Sequence, residues 1–325
     1  MSGPGGDDRR GRGATMVAMT TLVTGASGFA GAALIPELQR SGVAVRAFGR
    51  NEQRIRDCGT QPEEIAIGDA VSGKGLDAAL DGIDTTYFLI HSMEAGDDEF
   101  ADRELRAAEH FSQAASKAGV RRIIYLGVIA PSGGEGSEHV KSRVAVEDAL
   151  AAGAPEFVAL RASIAIAARS RSFRFLVRLV ERVPVMPLPS WRENRTQPVD
   201  GRDVIATLAA AGLHPDLPGR RQLDIAGPEI VTYGDLIDRI REAMLLDRPK
   251  ISLPISMTPV ASVVAAAIAG EDHGLIRPLM DGLSGDLLAE GESATELLGV
   301  RVHSLDSAIE HALGQWELVE ELAAR

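Results

Sequence analysis

The chain has 325 residues, 45% of them hydrophobic, a single cysteine and a formal net charge of -12 at pH 7. A chain this long and this apolar builds its core without metal or disulfide staples, and the lone Cys58 excludes an internal disulfide framework and suits a reducing, cytoplasmic setting. The acidic balance repels polyanions and argues against nucleic-acid binding, while leaving room for a local basic site that takes a small phosphate.

Residues 1–17 are rich in Gly, Asp and Arg, lack an apolar segment, and read as a disordered tail rather than a signal peptide or anchor. The pattern then alternates: a strand over 21–24, a helix over 28–41, a strand over 43–48, then strands over 64–67 and 85–90. A long helix over 100–118, a strand over 122–126, a helix over 138–152 and a strand over 157–160 complete six strands with intervening helices. That order predicts an α/β fold with a Rossmann-type, doubly wound parallel sheet across 18–166. The runs Tyr87-Phe88-Leu89-Ile90 and Ile123-Ile124-Tyr125-Leu126 are apolar on both faces, as central strands covered by helices on either side must be.

Past Ile166 the pattern turns irregular at Pro184, Pro187 and Pro189, with a strand over 222–225 and mainly helical segments from Thr232. Residues 167–325 therefore read as a smaller, mainly helical C-terminal substrate lobe interleaved with the end of the sheet. The longest apolar run there, 259–269, is well short of the roughly 20 residues of a spanning helix, so no integral membrane segment is expected.

Directly after the first strand stands Thr24-Gly25-Ala26-Ser27-Gly28-Phe29-Ala30-Gly31, a GxxGxxG spacing that opens a helix. Glycines let the backbone turn tightly, approach a diphosphate and pack the helix on the sheet, and the helix N-terminus favours negative charge. Gly25, Ser27, Gly28, Phe29 and Ala30 are therefore cofactor-binding candidates. At the end of the second strand, where a carboxylate would suit the ribose hydroxyls of NAD, the chain has Arg50, which suits the 2′-phosphate of NADP unless it is simply solvated. Gly68-Asp69-Ala70 follows the third strand, so Asp69 either meets the adenine amino group, with Ala70 beside it, or caps the next helix. NADP(H) is the expected cofactor, with NAD(H) possible.

These segments, together with Tyr87-Phe88-Leu89-Ile90-His91-Ser92-Met93, Arg122-Ile123-Ile124-Tyr125-Leu126-Gly127, His139-Val140-Lys141-Ser142-Arg143, Leu160-Arg161-Ala162-Ser163 and Gln197-Pro198-Val199-Asp200-Gly201-Arg202-Asp203-Val204, resemble the atypical short-chain dehydrogenase/reductases, in their NmrA-like and complex-I-accessory-like branch. The resemblance implies that Ile90 and His91 run beside the ribose and nicotinamide end of the cofactor, and that residues after the sixth strand shape a substrate cleft.

Active members of that family use a tyrosine with a lysine four residues later, the lysine lowering the phenol pKa and the tyrosine moving the proton that accompanies hydride. No such pair exists here: Tyr87, Tyr125 and Tyr233 are followed four positions on by His91, Ile129 and Ile237. At the place the resemblance assigns to the pair stand His139 and Arg143, one helical turn apart on one face. A histidine can donate a proton near neutrality and an arginine can hold ribose or phosphate oxygens, so His139, Arg143 and His91 are the catalytic candidates. The alternative for His139 is a surface histidine without chemistry. A serine after the fifth strand is also missing, with Ser132 further along as a possible substitute.

A basic amphipathic stretch over 168–182, with Arg169, Arg171, Arg174, Arg178 and Arg182, is read as a solvated outer helix face packed over the substrate cleft, with docking on a membrane surface as the alternative. The acidic cluster Glu94, Asp97, Asp98, Glu99 and Asp102 suits the N-terminal dipole of the long helix, and the seven histidines show no paired ligand spacing, so no metal is expected. Two functions stand open: an NADP(H)-preferring oxidoreductase acting on a small carbonyl, alkene or quinone-like substrate, and a non-catalytic NAD(P)H-binding sensor or scaffold. A small-molecule substrate is the expected partner of the first.

Overall fold

The structure, a computed structural model, describes residues 20–90, 97–129, 138–182, 186–188, 190–246, 250–252, 283 and 285–322; for 97–100, 138–140, 186–188, 190 and 250–252 it describes the backbone only. The first half runs β1 (Thr20–Thr24), α1 (Phe29–Arg40), β2 (Ala44–Gly49), α2 (Glu52–Asp57), β3 (Glu64–Ile67), α3 (Leu76–Leu80), β4 (Thr85–Phe88), α4 (Asp97–Ala118), β5 (Arg122–Val128), α5 (Glu138–Leu150) and β6 (Glu156–Ala162). The expected tail falls outside the described residues.

The second half contributes β7 (Ala165–Ile166), α6 (Arg171–Arg182), β8 (Met186–Leu188), β9 (Arg195–Thr196), β10 (Val199–Asp200), α7 (Gly201–Leu213), β11 (Gly219–Ile225), β12 (Val231–Thr232), α8 (Tyr233–Ala243), β13 (Lys250–Ser252) and β14 (Glu292–Ser293), followed by two helices, α9 (Ala294–Leu297) and α10 (Leu305–Glu317). Eight strands form one parallel sheet in the order β14-β11-β6-β5-β4-β1-β2-β3, two more than the six expected from the first half alone. The chain reverses its direction of travel across the sheet between β1 and β4, where Val23 faces Tyr87, and this switch point is where open α/β sheets bind ligands. Three short ladders, β7 with β10, β8 with β13 and β9 with β12, tie down the second half.

Alternation along the central strands divides the side chains between two buried layers. Leu22, Phe88, Ile123, Tyr125 and Phe157 point toward α3, α4 and α5, packing with Phe111 and Val146. Their neighbours Val23, Tyr87, Ile124 and Val158 point the other way, onto Leu34 and Ile35 of α1 and Val204 and Leu208 of α7. A separate core joins α6, α8 and α10 through Phe173, Leu176, Leu236, Ile237, Ile309 and Trp316. The strand expected over 222–225 is the end of β11, paired along its whole length with β6, so the second half both completes the sheet and builds its own core.

Candidate functional site

The turn after β1 is fixed by packing. The Thr24 hydroxyl donates to the Tyr87 carbonyl at 3.0 Å and accepts from the Leu89 N–H at 3.1 Å, which locks the ends of β1 and β4 together. Gly25 follows with φ +64, and a Cβ there would lie 2.3 Å from the Leu89 carbonyl oxygen, so both conformation and space demand glycine. A Cβ on Gly31 would lie 2.4 Å from the Gly25 carbonyl oxygen, which is the close helix-to-turn packing expected of the third glycine. Gly28 is the N-cap of α1 and offers no side chain to the helix. First-turn N–H groups lack intrahelical acceptors, so those of α1, beginning at Phe29 and Ala30, remain for an anion.

This turn opens on a cleft of about 930 Å³ above the carboxyl ends of β1 to β6. Gly25, Ser27, Gly28, Phe29, Ala30, Arg50, Asp69, Ala70 and Ile90 all line it, so the fold brings these sequence candidates together. Arg143 lines it too. His139 lies in α5 one turn before Arg143, with only its backbone described, and His91 and Ser132 fall outside the described residues. Asp69 faces the cleft while its Oδ1 accepts from the Val71 N–H at 3.1 Å, so it caps its own turn rather than a helix.

The charge of the lining is opposite to that of the chain. Arg50, Arg54, Arg103, Arg143, Arg169 and Arg171 line the cleft against two carboxylates, Asp57 and Asp69, in a protein whose net charge is -12. Cys58 also lines it. Its thiol sits 3.3 Å from the Ser27 carbonyl oxygen and 3.2 Å from that of Arg54, and Arg169 donates to the sulfur at 3.4 Å. Sequence reading missed Arg54, Cys58, Arg169 and Arg171 as cleft residues. An excess of arginine just before a helix in an acidic chain was the available signal, but it read equally well as a helix face.

That helix face is neutralised within the protein. Arg174 and Arg178 stack on Trp316 with guanidinium carbons 4.3 and 4.9 Å from its ring centroid, and buried Arg178 pairs with Glu181 and Glu320. The expected solvated face is thus a packing face against α10, and the start of the stretch, at Arg169 and Arg171, is what reaches the cleft.

At the other end of the cleft, Arg143 is buried and pairs with buried Glu104 of α4 at 3.2 Å. The carboxylate beside it anchors the guanidinium. Below it lies Tyr125, whose phenol is pushed up to about 12 by burial and then partly eased by Arg143. Tyr87 donates its hydroxyl to the Leu208 carbonyl at 3.1 Å and is raised further by burial, as is Tyr233. None of the three tyrosines is poised to move a proton near neutrality. Among the described residues no group of three His, Cys, Asp or Glu side chains is placed to hold a metal, and no helix is long and apolar enough to cross a membrane.

Residues 25–163, from Gly25 of the turn to the end of β6, match the family described as NAD(P)H-binding. This segment is an NAD(P)H-binding domain. The chain is 36% identical over 110 residues to sterol demethylase protein B of Methylococcus capsulatus, which covers 33% of this chain and 34% of the relative. It is 23% identical over 256 residues to the mitochondrial NADH dehydrogenase [ubiquinone] 1 alpha subcomplex subunit 9 of Arabidopsis thaliana, over 76% of this chain and 63% of the relative. The chain therefore spans about a third of the first and less than two thirds of the second. Its fold is shared with the NADPH-dependent quinone oxidoreductase of Escherichia coli, solved with NADPH, at a TM-score of 0.70 and 18% identity over 90% of this chain and 100% of that one.

The NAD(P)H-binding domain has what a dinucleotide requires: a glycine turn without protruding side chains, a helix N-terminus, a cleft at the switch point and an excess of guanidinium groups. These residues fit the cofactor.

Proposed function

We propose that the protein is an NADP(H)-preferring oxidoreductase acting on a small carbonyl, alkene or quinone-like substrate. The observation that carries this reading is the arginine-rich lining of the cleft around the glycine turn in an otherwise acidic protein. Bound there, the cofactor supplies or accepts hydride; the remaining tasks fall to the chain.

The N–H groups at the start of α1 hold the diphosphate, Arg50 the 2′-phosphate, and Asp69, beside Ala70, the adenine amino group. Arg143, anchored by Glu104, holds ribose oxygens, and Ile90 borders the nicotinamide end. Proton delivery belongs to His139, to a substrate-bound water, or to the substrate itself. With every tyrosine buried and raised, an electron-poor acceptor that needs no phenolic acid is the substrate type this site suits.

A second reading, a non-catalytic NAD(P)H sensor or scaffold, is favoured by one observation: the arginine in the position of the catalytic lysine is committed to a buried ion pair, and no tyrosine accompanies it. Calorimetric titration with NADPH and NADH, followed by acceptor-dependent oxidation of the reduced cofactor, separates the two. Turnover with a quinone or enone supports the oxidoreductase, and His139→Ala then lowers kcat about 100-fold if the imidazole is the acid. Tight binding with no oxidation across carbonyl, alkene and quinone acceptors selects the sensor.

A further inference from the structure

We infer that the 2′-phosphate site is a clamp built from two distant parts of the chain, with Arg169 and Arg171 at the start of α6 meeting the phosphate together with Arg50 and Arg54. The inference rests on the NADP(H) reading above and concerns residues that neither the glycine turn nor the end of β2 supplies.

Arg169 is tied to the adenosine side of the cleft by its contacts. Its Nη2 donates to Cys58, the C-cap of α2, and that sulfur is also bonded to the Ser27 and Arg54 carbonyls. One guanidinium from the second half of the chain thus sits against the helix that carries Arg54 and against the glycine turn at once. Arg50 follows β2 directly and stands two residues before α2 begins, so Arg50, Arg54 and Arg169 border one stretch of the cleft. Arg171 is the first residue of α6, exposed on the cleft, and the first turn of that helix contains no carboxylate to neutralise it.

The segment is held in place rather than draped over the cleft. Ala167 packs so closely on Gly201 that a Cβ there would come within 2.7 Å of the Ala167 Cβ and 3.1 Å of the Phe29 ring. The Ser170 N–H bonds the Ala167 carbonyl at 2.9 Å, and the Arg174 N–H bonds the Ser170 carbonyl at 2.9 Å. This backbone fixes where Arg169 and Arg171 emerge. The next two arginines of the same stretch, Arg174 and Arg178, are absorbed by Trp316, Glu181 and Glu320, whereas among the described residues no carboxylate pairs with Arg169 or Arg171. Two adjacent cations built into a rigid segment over an anion-binding turn, in a chain of net charge -12, are accounted for by an anion that they meet together. The free phosphomonoester on the adenosine ribose is that anion, because it carries nearly two charges and lies on the β2 side of the turn.

The test uses the full-length protein and two cofactor fragments, 2′,5′-ADP and 5′-ADP, titrated by calorimetry at one ionic strength. The wild type binds 2′,5′-ADP at least tenfold more tightly. Arg169→Gln with Arg171→Gln lowers 2′,5′-ADP affinity about tenfold or more while 5′-ADP affinity holds, which also reports that the variant is folded. Arg169→Lys, which keeps the charge but loses the fork, falls between. If the double variant retains the wild-type affinity for both fragments, the clamp is wrong and the NADP(H) reading stands on Arg50 and Arg54. A loss that is equal for both fragments places the pair on the 5′-phosphate that both carry and overturns the 2′-phosphate assignment. A wild type that binds both fragments alike overturns the NADP(H) reading itself, and the clamp with it.

Discussion

The two ends of the parallel sheet carry arginines in opposite circumstances. At the amino ends of β4, β5 and β6 Arg121 and Arg122 are held by carboxylates and carbonyls of the protein. Arg121 bonds Asp84 and Glu156, and Arg122, wholly buried, bonds Glu156 at 2.6 Å and the carbonyls of Ala211 and His214 at 2.7 and 2.6 Å. At the carboxyl ends six arginines line a cleft with two carboxylates, and one of the six, Arg143, is paired with Glu104 of α4. The first group satisfies the last carbonyls of α7 and joins three strands, and its charge is spent inside the protein. The second leaves a net positive field where the glycine turn and the start of α1 already favour an anion. Balance at one edge marks structure, and imbalance at the other marks a ligand.

The largest effect that separates the two edges is on stability. Arg122→Met leaves Glu156 short of a buried partner and two carbonyls unsatisfied, and costs about 3–5 kcal/mol of unfolding free energy. Denaturant unfolding measures it, and the affinity of the folded fraction for NADPH is expected to be unchanged. A variant as stable as the wild type breaks the contrast.

Changing the cleft has the reverse signature. Arg50→Asp is expected to weaken NADPH at least tenfold, about 1.4 kcal/mol, and to shift preference toward NADH, with little change in Tm because the side chain is exposed. An unaltered NADPH-to-NADH affinity ratio removes Arg50 from the 2′-phosphate site.

The smallest effect is the pH dependence of the balanced edge. Hydrogen bonds from Arg121 hold the Asp84 carboxyl below its ordinary value, against the opposing effect of partial burial. A depressed folded pKa contributes stability above the unfolded value of about 3.9, and that contribution is lost as pH falls through the lower folded value. Asp84→Asn therefore costs stability at pH 7 and loses less than the wild type on acidification below about pH 4. The half-buried, partly solvated setting of the pair keeps the difference small. Parallel acid-unfolding curves for the two proteins contradict the assignment.

The sequence made the sheet legible where its pattern was local. Glycines 25, 28 and 31 sit between a strand and a helix, and pairs such as Leu22 with Val23 and Ile123 with Ile124 fill both layers, so β1 to β6 and their helices follow from periodicity. Short α2 and α3, of 6 and 5 residues, carry too little periodicity to read. β14, two residues long, joins the sheet only through its pairing with β11. The cofactor candidates on the glycine turn and at Arg50 were legible because they end strands. Arg169 and Arg171 were not, because their place in the cleft depends on contacts such as Arg169 with Cys58, 111 residues apart. Arg143 was found by position, but its buried partner Glu104 on α4 was visible only once α4 and α5 were packed together.

The most direct test of the account is calorimetric titration of the protein with NADPH and NADH at one salt concentration. The account predicts tight NADPH binding, at least tenfold stronger than NADH. Equal affinities, or no binding of either, contradict it.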